Sequence, residues 1–540
     1  MEGDLSGPSL PERLRNGIRR ILGVKEARSA TLVLTFLTLA SKPVGYLRLL
    51  FVASVFGASL EMDVFNVAFG VLGLFVGTAG TALENAVLPL LAHKRAQEGE
   101  AAARDVMALA WWILLGYMIA VTAVVLVAPG VLIKLFAAGF DEERMKVGRA
   151  MLWWLLPYAA ATILKTGYDI WSQFAERFTL PSLASSVVGT IMLGTLLAAT
   201  PFWGSYAVPL SYSCAWFVVA LLMALALPGF PYRGGSVPFS ALRELLRDTG
   251  FCLALMGSGT LYGITDRYFA SLLATGSITS ISYADYLFGL ACSLTAPALF
   301  LFLAKSSRLA ASAEAAGNPE VFREKTCQAL ALLGALFAPL GVLLGATSRV
   351  WVQILLGYGA FSPAAVRLTG WCLTAYALAL PCSLGCSVFY RVAQAQRKLP
   401  GVVVLSLVLV GVNALGDWAL SRAFGAPGIA AATSIVWTVG FLLYGHWLLP
   451  GWWRHVGMGA LAKQCALAAL WAGALGWLDR VAFFGSWTPW IVAPLAGIGT
   501  ILHFLLVERL GWLDALPRGW KPTELLELVL SRLRRKPSEE

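Results

Sequence analysis

The stretch TLVLTFLTLA-SKPVGYLRLL-FVASVFGASL (residues 31–60) combines a long apolar run with two positive charges. Lys42 and Arg48 stand around a Pro43/Gly45 pair, and nearly all other residues are apolar or small. A run of about 20 apolar residues is long enough to cross the ~30 Å hydrocarbon core of a bilayer. Proline removes a helical hydrogen bond and glycine permits bending, so we expect a membrane helix broken near Pro43.

Similar apolar runs recur along the whole chain. Of its 540 residues, 58% are hydrophobic and only 13% are charged, whereas soluble domains carry about 25% charged residues. The sequence therefore predicts an all-α polytopic membrane protein. We predict fourteen transmembrane helices, near residues 31–56, 63–92, 106–133, 147–171, 181–201, 207–228, 248–273, 279–304, 322–346, 364–389, 400–421, 427–449, 461–479 and 487–507.

The net charge of +11 is consistent with the topology of a membrane protein that has many basic residues on its cytoplasmic side. Basic residues are retained on the cytoplasmic side of membrane proteins, and an even number of spans puts both termini on that side. We therefore expect cytoplasmic N- and C-termini and no binding of nucleic acid. The eight cysteines are scattered through apolar segments without a CxxC pair, which favours small buried side chains over a disulfide or metal site.

Two distant parts of the chain carry the same features in the same order. Each has an aromatic-glycine loop, a proline inside the following span, and a polar turn that ends in proline. The corresponding pairs are Phe140 and Phe361, Pro157 and Pro381, and Pro181 and Pro400, and their separations along the chain are nearly constant. Near-constant separations between unlike motifs indicate two copies of one six-helix unit, and transporters built from such repeats hold substrate between the halves.

This repeat sets the predicted domain organisation. Because six is even, both copies have the same orientation, and the last two spans fall outside the repeat. The predicted parts are a basic cytoplasmic arm (1–30), an N-lobe (31–230), a C-lobe (231–450), a terminal helix pair (451–508) and a basic cytoplasmic tail (509–540).

Charged residues inside the spans are candidates for function, because a charge at the bilayer centre costs ~2.5–3.5 kcal/mol on insertion scales. We expect Lys42 and Arg48 to face a central aqueous cavity and bind an anion such as a phosphate. Snorkelling to an interface is the alternative, more plausible for Arg48 than for Lys42. Asp63 is either a counter-ion or a helix N-terminal charge. Lys165 and Asp169, four residues apart, either neutralise each other or line the cavity.

A second polar set lies in spans 7, 11 and 12. Asp266, Asn413, Asp417 and Thr433 could make an all-oxygen site for a hard monovalent cation, completed by a backbone carbonyl. The alternative is a hydrogen-bonded network that packs helices together. No Walker A sequence, no GxSxG in a strand–helix context and no metal-ligand cluster around the four histidines is present, so we predict a transporter and not an enzyme.

The motifs also resemble a known family. They are SKPVGYLRLLFVASVFGASLEMDVFNVAF (41–69), ENAVLPLLAHKR (84–95), LFAAGF (135–140), LLPYAA (155–160), RFTLPSLA (177–184), ATGSITSISYADYL (274–287), LLGYGAFSPAAVRLTGWCLTAYALALP (355–381) and GAPGIAAATSI (425–435). Their order and spacing resemble the MurJ (MviN) family of the MOP (multidrug/oligosaccharidyl-lipid/polysaccharide) exporter superfamily, which flips lipid II.

The resemblance implies two six-helix lobes around a central cavity, with two C-terminal helices bordering a lipid-tail groove. Arg48 matches one of the cavity arginines proposed to engage the diphosphate, Lys42 stands where some members have another basic residue, and Asp63 matches a family acid. Tyr286 replaces the arginine of the family's YADR motif. Asp266, Asn413, Asp417 and Thr433 match the family's sodium site, with Ile429 where a backbone carbonyl contributes.

The implied function is translocation of an undecaprenyl-diphosphate-linked peptidoglycan precursor, lipid II, from the inner to the outer leaflet by alternating access. The implied location is the bacterial cytoplasmic membrane. Either Na⁺ as a coupling ion or the membrane potential is expected to bias the inward and outward states, with no other cofactor. Expected partners are the lipid-linked precursor, membrane lipids and cell-wall synthesis enzymes. Alternatives are an exporter of another polyprenyl-linked oligosaccharide, which the missing arginines favour, a cation-coupled small-molecule antiporter and a non-transporting scaffold.

Overall fold

The computed structural model describes residues 43–177, 179–227, 229–235, 239–293, 319–480 and 488–512. These residues form helices, turns and short connections, and they contain no β-strand. The predicted all-α fold is therefore confirmed. Lys42, the N-terminal arm and the C-terminal tail lie outside the described residues.

The first half of the described chain forms nine α-helices. They are α1 (Pro43–Phe56), α2 (Leu60–Leu72), α3 (Ala79–Glu98), α4 (Glu100–Val127), α5 (Pro129–Phe136), α6 (Glu142–Trp154), α7 (Leu156–Phe174), α8 (Thr179–Trp203) and α9 (Ala207–Ala226). A π-helical turn, Gly73–Thr78, joins α2 to α3 in one continuous helical segment.

The second half forms nine more. They are α10 (Phe239–Ala270), α11 (Ser277–Ser293), α12 (Pro319–Leu356), α13 (Pro363–Leu378), α14 (Leu380–Ala395), α15 (Leu399–Phe424), α16 (Ala426–Leu448), α17 (Met458–Arg480) and α18 (Thr488–Arg509).

Many of these helices have the length and apolar composition of membrane-spanning helices. Among the described residues, nine helical segments are long and apolar enough to cross a bilayer, and α13 with α14, bent by 49°, would make a tenth. The helix α1 is a shorter apolar one. Fourteen spans remain a prediction. The helix α1 runs through Gly45 without interruption, so a break before Pro43 would lie outside the described residues.

The chain divides into two compact units. Within the described residues, unit 1 contains residues 43–52 and Leu60–Gly263, and unit 2 contains Ala53–Ser59 and the described residues from Ile264 onward. The helices α1 and α10 therefore each contribute to both units. The predicted domain boundaries were drawn from the sequence repeat and remain predictions.

Unit 1 contains an interrupted helix pair, α6 and α7. The Asp141 side chain begins α6 by accepting a hydrogen bond of 2.9 Å from the Arg144 backbone N–H, which satisfies a free donor of the first turn. The pair is interrupted at Leu155, just before Pro157, which has no N–H to continue the ladder. After α7 the chain turns at Glu176, which has a φ of 58°.

Unit 2 repeats this construction in α13 and α14. Ser362 caps α13 by accepting from the Ala365 N–H at 3.2 Å, and the interruption falls at Ala379, just before Pro381. The turn after α14 contains Arg397, with a φ of 55°. Among the described residues, Glu176 and Arg397 are the two non-glycine residues with positive φ. Their separation along the chain equals that of the two loop phenylalanines, which agrees with the predicted repeat.

The end of α1 is held within unit 2. The Ala360 N–H donates to the Ser54 carbonyl at 2.7 Å. Gly57 and Gly359 both have positive φ, and a Cβ at either would overlap a backbone carbonyl of the opposite segment. Glycine occupies both positions because it has no Cβ and therefore allows the two backbone segments to approach this closely.

The two C-terminal helices pack on α12. Leu343 and Val350 of α12, Ala468 and Ala472 of α17, and Val492 and Ala496 of α18 are members of one buried apolar cluster. Small alanines let the helices approach closely, as is common between membrane helices. The lipid-tail groove that the resemblance implies for this pair remains a prediction.

Candidate functional site

The residues of the predicted cation site meet in unit 2. Asn413 and Asp417 lie one turn apart on α15, and Asp266 lies near the end of α10. The Asn413 Nδ2 lies 2.8 Å from Oδ1 of Asp266 and 3.0 Å from Oδ2 of Asp417. It also lies 2.9 Å from the Thr265 hydroxyl. One amide therefore binds both carboxyl groups.

The helix α16 contributes the remaining two residues of this cluster, Thr433 and Ile429. The Thr433 Oγ1 lies 3.1 Å from Oδ2 of Asp266 and 3.3 Å from the carbonyl oxygen of Ile429, and it donates to one of them at a time. The Ile429 carbonyl is thus brought to the cluster by the helical i, i+4 spacing. All five residues predicted for the sodium site lie together.

The cluster is buried and has an excess of negative charge. Asn413 and Asp417 have no exposed surface, and Asp266 is 8% exposed. The Asn413 amide contacts both carboxyl groups, so their negative charges lie close together. Arg267 attracts Asp266, but it is also attracted to Asp285 on α11. Two buried carboxylates that share the attraction of one arginine favour binding a cation or a proton.

Two oxygens remain available for such a cation. Oδ1 of Asn413 and Oδ1 of Asp417 are buried, and neither accepts a hydrogen bond from any residue that the structure describes. Carboxylate, amide, hydroxyl and carbonyl oxygens are ligands that hard cations prefer. No group of three or more His, Cys, Asp or Glu residues in the described ranges could hold a metal. Asp266 and Asp417 would contribute carboxylate oxygens, and Asn413, Thr433 and the Ile429 carbonyl would contribute neutral ones.

Arg48 of the predicted anion site lies in unit 1. Its Nη1 is 3.5 Å from the Met192 sulfur, and its Cζ lies 5.1 Å from the centre of the Tyr212 ring. It forms no ion pair with a carboxylate within the described part of the chain. The aromatic face stabilises the guanidinium without neutralising it, so the charge stays available to an anion.

The other predicted anion-site residues are placed separately. Asp63, 3% exposed, lies in the first turn of α2, where the helix dipole favours negative charge. Tyr286 lies on α11 in unit 2 and is half-buried. Lys42 lies outside the described residues. The substrate-binding roles of these four residues remain predictions.

Lys165 and Asp169 form the ion pair that their spacing predicts. Nζ lies 2.5 Å from Oδ2, and the side chains are 7% and 15% exposed. Their surroundings were not predicted. Gln173, one turn further on α7, donates to Oε1 of Glu84 on α3 at 2.5 Å, and Lys165 lies 5.6 Å from the centre of the Trp216 ring.

Sequence reasoning missed several partners. Glu84 could have been found, because it is an acid inside the second predicted span, like the acids that were singled out in other spans. Nothing in the sequence distinguishes Met192, Tyr212 and Trp216, because uncharged side chains recur throughout the apolar spans. Only the packing of the helices brings these residues to Arg48 and Lys165.

These features define a class of protein: an α-helical, multi-pass membrane protein with the fold of MOP-superfamily transporters. A solved structure titled as an inward-facing MATE family transporter of that superfamily aligns with a TM-score of 0.61 at 14% identity, covering 84% of this chain and 99% of the transporter. That likeness concerns the fold alone.

The family is identified by sequence. The family model described as lipid II flippase MurJ matches residues 52–494. The chain is 25% identical over 510 residues to the lipid II flippase MurJ of Burkholderia cenocepacia, covering 88% of this chain and 97% of the relative. A solved lipid II flippase MurJ in an inward closed conformation aligns with a TM-score of 0.72 at 19% identity, covering 89% and 99%. The protein belongs to the MurJ family.

Proposed function

We propose that the protein is a lipid II flippase that moves this precursor from the inner to the outer leaflet by alternating access. The match of the MurJ family model to residues 52–494 carries this proposal. Lipid II joins a polyprenyl tail, a diphosphate and a peptidoglycan building block, so the function belongs to cell-wall synthesis. The corresponding location is the bacterial cytoplasmic membrane with both termini inside, and the protein performs transport without catalysis.

Arg48 and Lys42 are proposed to hold the diphosphate. An arginine presents a planar fork of donors that matches phosphate oxygens. Arg48 keeps its charge because its described contacts are a sulfur and an aromatic ring. Tyr286 offers a hydroxyl where the family motif has an arginine, so Lys42 and Arg48 would carry more of the anion binding. Asp63, on the first turn of α2, is proposed to act as a counter-ion to nearby positive charge.

Sodium is proposed to bind at Asp266, Asn413, Asp417, Thr433 and the Ile429 carbonyl. When bound, the ion would offset one of the two negative charges of the carboxylates. The residues would tie α10, α15 and α16 together through one set of oxygens. Binding would therefore favour whichever transport conformation keeps these three helices at this spacing.

The test of the transport function is rescue of bacteria depleted of their own lipid II flippase. We expect the parent protein to restore growth and a Lys42→Ala/Arg48→Ala variant to fail at equal membrane levels. The matched control is Arg422→Ala, which removes an arginine that lies over Trp418 at 4.3 Å. Failure of the well-expressed parent would contradict lipid II as substrate, and full rescue by the double variant would contradict the assigned roles.

A second candidate is export of another polyprenyl-linked oligosaccharide, which Tyr286 favours because one positive charge is missing from the motif. Native mass spectrometry of the purified protein with competing polyprenyl-linked lipids would separate the two. Preferential retention of lipid II supports the first proposal, and preference for another glycan headgroup supports the second. Membrane lipids and cell-wall synthesis enzymes are the proposed further partners.

A further inference from the structure

Unit 1 contains a polar cluster, with Lys165 buried and the other members half-buried, that the proposed transport mechanism does not use. Lys165, Asp169 and Gln173 follow one another at four-residue spacing on α7, so they form a single stripe. The stripe meets Glu84 of α3, whose Oε1 accepts the 2.5 Å hydrogen bond from Gln173. Lys165 pairs with Asp169 at 2.5 Å and lies over the Trp216 ring of α9.

The charges of this cluster do not balance. Glu84 interacts electrostatically with Asp169 and Lys165, and Asp169 interacts with Lys165. Two arginines also lie against α7: Arg104 of α4 is 5.6 Å from the centre of the Trp171 ring, and Arg95 of α3 is 5.3 Å from that of Phe174. Within the described residues, neither arginine forms an ion pair with Glu84 or Asp169. One lysine therefore faces two carboxyl groups, which leaves one surplus negative charge if both are ionised.

The surplus charge lies on Glu84, because Asp169 is paired directly with Lys165 and the described partner of Glu84 is the neutral Gln173 amide. Oδ1 of Asp169 is buried and accepts no hydrogen bond from the part of the chain that the structure describes. Oδ2 of the same carboxylate is taken by Lys165. Glu84 likewise uses one described oxygen, Oε1, for Gln173. A proton bound to one carboxyl group would neutralise the surplus charge and turn one carboxyl oxygen from a hydrogen-bond acceptor into a donor.

We propose that Glu84 binds an exchangeable proton, with the Lys165–Asp169 pair held ionised beside it. A metal cation is disfavoured because the Lys165 ammonium lies at the same carboxylate and would repel it. A proton needs no coordination shell, and a protonated carboxyl can donate one hydrogen bond. Unit 1 thus has a cation site of its own, chemically distinct from the sodium-type cluster of unit 2. The proposal does not depend on which lipid is transported.

Infrared difference spectroscopy of the purified protein at neutral pH tests the proposal by counting protonated carboxyl groups. We expect Glu84→Gln to lose the signal of one group relative to the parent. Asp169→Asn should lose the same signal, because Glu84 then becomes the ionised partner of Lys165. Lys165→Met should gain one group, because neither carboxylate retains a cation. Lys165→Arg keeps the charge and should match the parent.

The matched control is Glu98→Gln, which removes an exposed carboxylate from the same helix, α3, and should leave the signal unchanged. A Glu84→Gln spectrum identical to the parent would overturn the proposal. So would loss of the Glu84 signal when sodium replaces potassium at constant pH, since that would make the cluster a metal site. Each variant is first shown to be folded by its size-exclusion profile, and rescue of growth is measured separately, so failure of transport and failure of the proton site are distinguishable.

Discussion

The interrupted helix pairs α6/α7 and α13/α14 have the same local backbone plan, yet among the described residues only the first holds a buried ion pair. Both begin at a capped helix, are interrupted just before a proline, and end in a turn with a residue at positive φ. When the two turn residues are aligned, Lys165 and Asp169 correspond to Cys386 and Tyr390 of the second pair. The backbone signals are repeated, whereas the charged side chains are not.

The second polar cluster has residues on α15 of unit 2, and these residues have no polar counterparts in unit 1. Asn413 and Asp417 lie in the span after the second interrupted pair. When Pro400 is aligned with Pro181, they correspond to Gly194 and Ala198 of unit 1. Each unit therefore places its charged cluster on a different part of the common plan. The two units share this local backbone plan and differ in a few polar residues.

The largest expected effect comes from removing the cation of unit 1. Lys165→Ala should lower the free energy of unfolding by about 3–5 kcal/mol, because it leaves Asp169 buried without its partner. The matched change in unit 2, Cys386→Ala, removes one small buried atom and should cost about 1 kcal/mol. Denaturant unfolding in detergent would measure both, and equal losses would show that the Lys165 charge has no special role.

Sodium should stabilise unit 2 specifically. At a concentration about 100 times its Kd, a bound ion adds about 2.7 kcal/mol to stability, which raises Tm relative to equal potassium. Asp417→Asn should abolish this difference, while Asp248→Asn, at an exposed acid of α10 paired with Arg247, should keep it. A sodium effect that survives in Asp417→Asn would place the ion elsewhere.

The caps of the two pairs should be equivalent. Asp141→Ala and Ser362→Ala should each cost about 1 kcal/mol, because each leaves a first-turn N–H without its acceptor. The exchanges Asp141→Ser and Ser362→Asp should restore most of the loss, since both side chains can accept that hydrogen bond. Unfolding measurements on all four variants check the repeat; a cap effect in only one unit would contradict local equivalence.

The smallest effect is expected at the turns. Glu176→Gly and Arg397→Gly should each stabilise the protein by about 0.5 kcal/mol, because glycine adopts positive φ without the steric cost, partly offset by its greater freedom when unfolded. The β-branched variants Glu176→Val and Arg397→Val should destabilise it. Opposite signs for the two glycine variants would show that the turns are not equivalent.

The sequence predicted the helices well because apolar length, proline and polar caps act locally. It also indicated Asp266, Asn413, Asp417 and Thr433, because ionisable side chains are rare inside membrane spans, and the family resemblance added the Ile429 carbonyl. It did not predict the contacts of Arg48 with Met192 and Tyr212, or that Glu84 joins Lys165 and Asp169. Those contacts join residues far apart in the chain, on helices whose relative rotation the sequence does not show.

By itself, then, the sequence determined a polytopic helical protein with an internal repeat and a small set of charged intramembrane residues. Hydrophobic length and backbone chemistry fix these properties residue by residue. The tertiary structure decided which charges share a partner. Lys165 alone could satisfy one carboxylate, and only the packing of α3 against α7 brings a second one, Glu84, and leaves a charge for a proton to balance.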